Sequence, residues 1–222
     1  MRNCSRSSSA CSLEADRDPS FLRVWLLAVL AVACAACAPL VTKPVADQAA
    51  RTQAWNQHSA AIAKLSSWSF TGRIVVRNGG EGFSGTLRWR QDGERFLLRI
   101  IAPLAQGSWQ LAGDPRGVEM SAPKGERRSA ADAETLLREV LGWSVPVAGA
   151  RYWVSGIPDP SSDVRKLDLD EQGRLAVLEQ AGWNISELEY VPVGSYELPK
   201  RLSLRRDELL VKLAVSRWEL PE

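Results

Sequence analysis

The sequence predicts an α+β domain: an antiparallel sheet that curls over its own apolar face and is covered by a few helices. Three observations carry that expectation. Apolar residues recur at helical spacing only up to Ser66, and from Trp68 onward the period falls to two. About eleven strand-length runs then follow one another through connections so short that their strands must pair antiparallel. One helical insertion interrupts them, and no repeat or low-complexity segment is present, so strand and helix layers enclose one core. A length of 222 residues suits a single domain of this kind.

Ahead of the domain, Val24–Ala33 is an uncharged apolar run preceded by Arg23. Its length suits a secretory signal core and is too short for a membrane span. Glu14, Asp16 and Asp18 are out of place in a signal's basic leader, which puts the expected translation start nearer Leu22 or Val24. The run ends in "AVACAACAPL", which resembles the lipobox of bacterial lipoproteins, where cleavage precedes a cysteine that becomes diacylated. Both Cys34 and Cys37 fit. Cys37 leaves no spare exported thiol, whereas Cys34 has the more ordinary residue, Ala31, three places upstream. Residues 1–36 therefore read as a signal peptide ending in a lipobox, with cleavage before Cys34 as the alternative. Residues 37–46, with two prolines and no apolar periodicity, read as a tether. Residues 47–222 read as the folded domain.

The domain opens with a helix over 47–66, where Ala50, Ala54, Ala61, Ile62 and Leu65 share one face. Strands are expected at 68–77, 83–91, 94–102, 107–112, 116–121 and 125–129. In "TLRWR", Leu87 and Trp89 oppose Arg88 and Arg90. Asn78-Gly79-Gly80 and Gln91-Asp92-Gly93 are turn sequences. Ser129 followed by Asp132 looks like a capping box, Ala133 to Leu141 is rich in helix formers, and Gly142 stops that helix. A second short helix opens at Pro146, runs past Trp153 and ends at Gly156. Strands resume at 164–169, 174–180, 182–190, 200–206 and 208–218, the last with Leu209, Val211, Leu213 and Val215 on one face. Helices placed this way could cap a cavity.

Composition narrows the function. With 28 basic and 26 acidic residues the chain is nearly neutral, so no strong overall field exists to gather nucleic acid or anionic lipid. All four cysteines, Cys4, Cys11, Cys34 and Cys37, lie ahead of the domain, which leaves no disulfide or thiolate metal site in the body. Nine tryptophans exceed the needs of an ordinary core and suit cavity walls as well as packing. "DLDEQGRLAVLE" places Asp168, Asp170, Gly173 and Glu179 at calcium-loop positions. Its flanks alternate instead of forming two helices, and Gln172 stands at a ligand position, so it reads as a hairpin turn. The sole histidine, His58, has no cysteine to pair with, and no Gly-x-Ser-x-Gly elbow accompanies any serine. His58 reads as a helix-surface or core residue, and Asp132 and Glu134 as first-turn helix charges. No enzyme is expected.

The stretches "WSFTGRIVV" (Trp68, Gly72, Arg73), "LRIIAPLAQG", "SAADAETLLREVLGWSVPVAGARYWVSGIP" (Trp153, Gly156), "LEQAGWNIS" (Gln180, Gly182, Trp183), "LPKRLSL" and the terminal "SRW" (Trp218) resemble, in order and spacing, the LolB family of outer-membrane lipoprotein receptors. The resemblance implies an unclosed antiparallel barrel of about eleven strands, covered by about three helices, around an apolar cavity for the acyl chains of client lipoproteins. It implies transfer from the periplasmic carrier LolA to the inner leaflet of the outer membrane, by a monomer held through its lipid anchor and needing no cofactor. It also implies that Leu104, in the loop Pro103-Leu104-Ala105, protrudes to contact the membrane; the family commonly has Pro-Leu-Gly there. A lipocalin-like carrier of a small apolar ligand would share the cavity but would need no protruding loop.

Overall fold

The computed structural model describes residues 45–103 and 107–221. The expected signal, both candidate lipidation cysteines Cys34 and Cys37, most of the expected tether, and Leu104 and Ala105 lie outside these residues. Contacts gather Pro44–Glu222 into one compact unit. Every described core residue falls within it, so this unit holds its own core, as an independently folding domain does.

Helix α1 (Val45–Ala63) starts inside the expected tether. Six strands follow: β1 (Ser67–Asn78), β2 (Glu81–Asp92), β3 (Arg95–Ile101), β4 (Ser108–Asp114), β5 (Gly117–Ser121) and β6 (Arg127–Ala130). Then come α2 (Ala133–Leu141) and α3 (Val147–Trp153). The chain ends with β7 (Val164–Leu169), β8 (Leu175–Gln180), β9 (Trp183–Val193), β10 (Tyr196–Arg206) and β11 (Leu209–Glu219). All belong to one 11-stranded sheet in the order β6-β5-β4-β3-β2-β1-β11-β10-β9-β8-β7. Every pairing but one joins strands consecutive in the chain, and β1 with β11 is the exception. The sheet is antiparallel and unclosed: β6 and β7 are its two edges, and the segment carrying α2 and α3 spans from one edge to the other.

Burial follows the expected alternation. Along β1, Trp68, Phe70, Ile74 and Val76 face inward, and Leu87 and Trp89 do so on β2. On β11 the period breaks once. Leu209, Val211, Leu213 and Val215 are buried, and so is Trp218, an odd number of residues further on. A bulge explains it. Thr71 pairs Arg217 while Gly72 pairs Val215, so Ser216 is the extra residue and Trp218 turns inward. Gly72 is required there, because a Cβ would sit 2.6 Å from the Ala214 carbonyl oxygen.

Two local features differ from the sequence expectation. Ser129 is not a cap: it lies in β6 opposite Glu119. The N-cap is Asp132, whose carboxylate accepts from the Thr135 N–H at 2.8 Å, while Gly142 closes α2 in the left-handed region with φ 75°. The β9–β10 hairpin also extends through Val193 and Tyr196, across segments that Pro192 and Pro199 make look like loop. Pro192 is exposed, and Pro199 sits at a register irregularity, positions where a missing N–H costs no ladder bond.

Candidate functional site

Between the inner face of the sheet and the α2–α3 segment lies a cavity of about 210 Å³. Its walls come from Ile74 of β1, Phe83, Leu87 and Trp89 of β2, Leu98 and Ile100 of β3, Trp109 and Leu111 of β4, and Met120 of β5. Leu204 of β10 and Val211 and Leu213 of β11 continue the wall. The lid comes from Leu137 and Leu141 of α2, Trp143 and Val145 of the link, and Val147, Ala150 and Val154 in and just after α3. Every one of these side chains is apolar. The Trp89 indole N–H is turned to Gln91 Oε1 at 2.9 Å, and Gln91 in turn donates to the Gly93 carbonyl. A void lined this way offers water no partner, so it stays dry and favours hydrocarbon.

The sequence-derived motif positions build the frame of this cavity, and none of them lines it. Trp68, Phe70, Trp89 and Trp218 pack as one cluster with ring separations of 5.0–6.0 Å. The Trp218 indole N–H donates to the Pro199 carbonyl at 2.9 Å. Through Trp89 this cluster supports one wall. On the other side Gln180, fully buried, ties α3 to β8. Its Oε1 accepts from the Trp153 indole N–H at 2.8 Å and the Asp159 N–H at 2.9 Å. Its Nε2 donates to the Asp159 and Ser162 carbonyls. All four capacities of the amide are used. Trp183 lies against Trp153 at 6.1 Å, with the Arg206 guanidinium over its ring at 4.6 Å. Gly182 takes the turn between β8 and β9 with φ 77°. Gly156, with φ 83°, ends the α3 segment where a Cβ would press on Tyr190 and Pro199. Arg73 is exposed on the outer face of β1.

The calcium-loop look-alike forms the β7–β8 hairpin. Asp170 is held by the turn itself, accepting from the Gln172 and Arg174 N–H groups and pairing with the Arg174 guanidinium at 2.8 Å. Gly173 lets the turn dock on α1, since a Cβ would lie 2.6 Å from the Arg51 carbonyl oxygen. His58 of α1 is half-buried, edge-on to Tyr190 at 6.1 Å. Burial holds its pKa below the ordinary 6.5, against the raising effects of Glu197 and Asp170. The ends of the β3–β4 loop are fixed: Pro103 is exposed, and the Ala102 N–H donates to the Gly107 carbonyl at 3.1 Å.

The sequence reading assigned none of the lining residues to the cavity, Phe83, Trp109, Met120, Trp143 and Val145 among them. The signal for the last two was present: Trp143 and Val145 are large apolar residues in a link between two helices, where a solvated link would carry polar side chains.

Residues 66–218 match the family described as LolB: Outer membrane lipoprotein LolB. The chain is 38% identical over 199 residues to the outer-membrane lipoprotein LolB of Nitrosococcus oceani, covering 89% of this chain and 98% of that one. It is 35% identical over 200 residues to the protein of the same name from Stutzerimonas stutzeri, covering 90% and 97%. A LolA superfamily protein of known structure from Nitrosomonas europaea superposes with a TM-score of 0.49 at 6% identity, over 78% of this chain and 94% of that one.

Proposed function

This chain belongs to the LolB family of outer-membrane lipoproteins, and from that premise we infer that it is an outer-membrane receptor that takes client lipoproteins from the periplasmic carrier LolA and places them in the membrane's inner leaflet. The observation that carries the reading is the cavity, whose lining is apolar throughout. Each buried acyl methylene contributes about 0.8 kcal/mol, so small differences in lining between carrier, receptor and bilayer, repeated along a chain, set the direction of transfer without a nucleotide. At about 210 Å³ the void is smaller than ordinary ligand pockets of roughly 300–1,000 Å³. Client chains must therefore widen it, and the α2–α3 segment, which spans the gap between the sheet edges, is the part that can yield without breaking a strand ladder.

The protein is held at the membrane as a monomer by acylation of Cys34 or Cys37. The residue that follows is alanine in either case, Ala35 or Ala38. Leu104 is the membrane-contact residue, since burial of one leucine contributes roughly 1.5–3 kcal/mol, enough for transient contact without permanent anchoring. The test is a transfer assay with client-loaded LolA and vesicles. The wild type is expected to accept and deliver the client, whereas Leu104→Glu stays folded, accepts it and fails to deliver. Normal delivery by a folded Leu104→Glu protein would remove the membrane-contact role. No acceptance of client by the wild type would remove the receptor reading.

A further inference from the structure

The outer face of the sheet carries a feature that transfer through the cavity does not use. Arg73 of β1, Arg88 and Arg90 of β2, Arg99 of β3 and Arg217 of β11 all point outward and are exposed. The register sets them together. Thr71 lies between Arg217 and Arg88, and Arg88 stands directly opposite Arg99. Arg73 and Arg90 flank that row, opposite Thr86 and Ser69.

Adjacent strands lie about 4.8 Å apart, and like charges facing each other across a ladder destabilise it. None of the five has a carboxylate partner among the described residues. The ion pairs nearby belong to others: Arg127 with Glu119, Arg201 with Glu189 and Lys212 with Glu187. Nearby acids are engaged, Glu219 accepting from Ser69 and Asp92 from Ser67 and Arg95. The row continues from Arg99 through Gln110 to Ser121 without an acid. The net charge of +2 conceals this segregation, so the sequence-based exclusion of anionic lipid holds for the whole chain but not for this face.

We propose that this arginine face docks on the anionic phosphate headgroups of the bilayer that receives the client. Naming that bilayer rests on the receptor reading. A guanidinium binds phosphate oxygens in bidentate fashion and keeps its charge at any physiological pH. Leu97, opposite Arg90, is one of two large apolar residues exposed among the described residues, at 36%. Basic and apolar groups so mixed suit the boundary between headgroups and acyl chains. A partner handing a chain to the cavity works on the inner face of these strands, so the outer face is free for a second surface.

The test is sedimentation of the unit 44–222, without client or carrier, with vesicles of phosphatidylethanolamine alone or with added phosphatidylglycerol. Failure of the transfer assay therefore does not affect it. The wild type is expected to bind the anionic vesicles preferentially and to lose that preference in high salt. The variant Arg88→Gln/Arg90→Gln/Arg99→Gln should bind them at least tenfold more weakly, with an unchanged or higher melting temperature. A control of equal charge change elsewhere, Arg165→Gln/Lys166→Gln/Lys200→Gln, should bind as the wild type does. Equal binding of the wild type to both vesicles, or equal weakening in the control, would overturn the proposal. So would a patch variant that keeps its vesicle binding, and loss of LolA binding by that variant in a separate pull-down would assign the face to an acidic protein.

Discussion

The two halves of the sheet bury their inner faces in opposite ways. Around β8, β9 and β10 the interior is filled: Leu175, Leu178, Ile185 and Leu198 have no exposure, and Gln180 gathers the Trp153 indole N–H, the Asp159 N–H and two carbonyls. Around β2 to β5, side chains as large as Phe83, Trp89 and Trp109 still leave a void. The filled half is held by directional bonds that allow one arrangement. The side chains that line the hollow half meet through apolar contacts, which allow many arrangements of nearly equal energy, as a site for flexible chains of varied length requires. Rigidity and capacity are thus placed on opposite sides of one core.

The contrast is sharpest at Gln180. Replacing it with alanine strands the Trp153 indole N–H, the Asp159 N–H and two carbonyls in a dry interior, and should cost about 4 kcal/mol in denaturant unfolding. A cost below about 1 kcal/mol would show that the filled half is not held by this amide. Next in size is a matched pair of truncations. Leu178→Ala opens a new void and should cost about 3–5 kcal/mol, whereas Leu111→Ala only enlarges an existing one and should cost about half as much. Equal losses would break the comparison between the halves. Filling the void is the converse experiment. Met120→Trp should change stability by about 1 kcal/mol or less while cutting client acceptance from LolA, since the added ring occupies space that a chain would take.

The smallest expected effect concerns pH in the filled half. Burial keeps His58 below its ordinary pKa of 6.5, so the unfolded chain binds its proton more readily than the folded one. The stability that the neutral ring contributes is present above pH 6.5 and is lost as pH falls through the lower folded value. Denaturation midpoints at pH 5.5 and 8 should therefore differ by more in the wild type than in His58→Gln. An equal difference would mean that the ring is as well solvated folded as unfolded.

Much of this was legible before any coordinates. Alternation, short turn sequences and the family resemblance together located the strands, and alternation is plainest in β1, β2 and β11, where one face is wet and the other dry. Gly142 and Gly156 marked helix ends because both take φ values that other residues avoid. Misreadings arose where a local signal was genuine but used differently. Ser129 is a good cap residue that β6 claims for pairing with Glu119, and the β9–β10 hairpin runs past the expected bounds of 190 and 200 because Pro192 and Pro199 stand where the ladder has no bond to lose. Net charge is silent for a related reason, since a sum cannot show that arginines from four strands stand side by side.

The sequence by itself determined the class of fold, the order of its elements, the family, and that the interior is apolar, because each of these depends on patterns between residues close in the chain. Tertiary structure decided which apolar residues fill space and which enclose it. Leu178 and Leu111 occupy similar positions in similar strands, yet one is packed on all sides and the other faces a void. That difference depends on how far α2 and α3 stand from the sheet. Their resting position is set by contacts such as Trp153 with Gln180, between residues far apart in the chain.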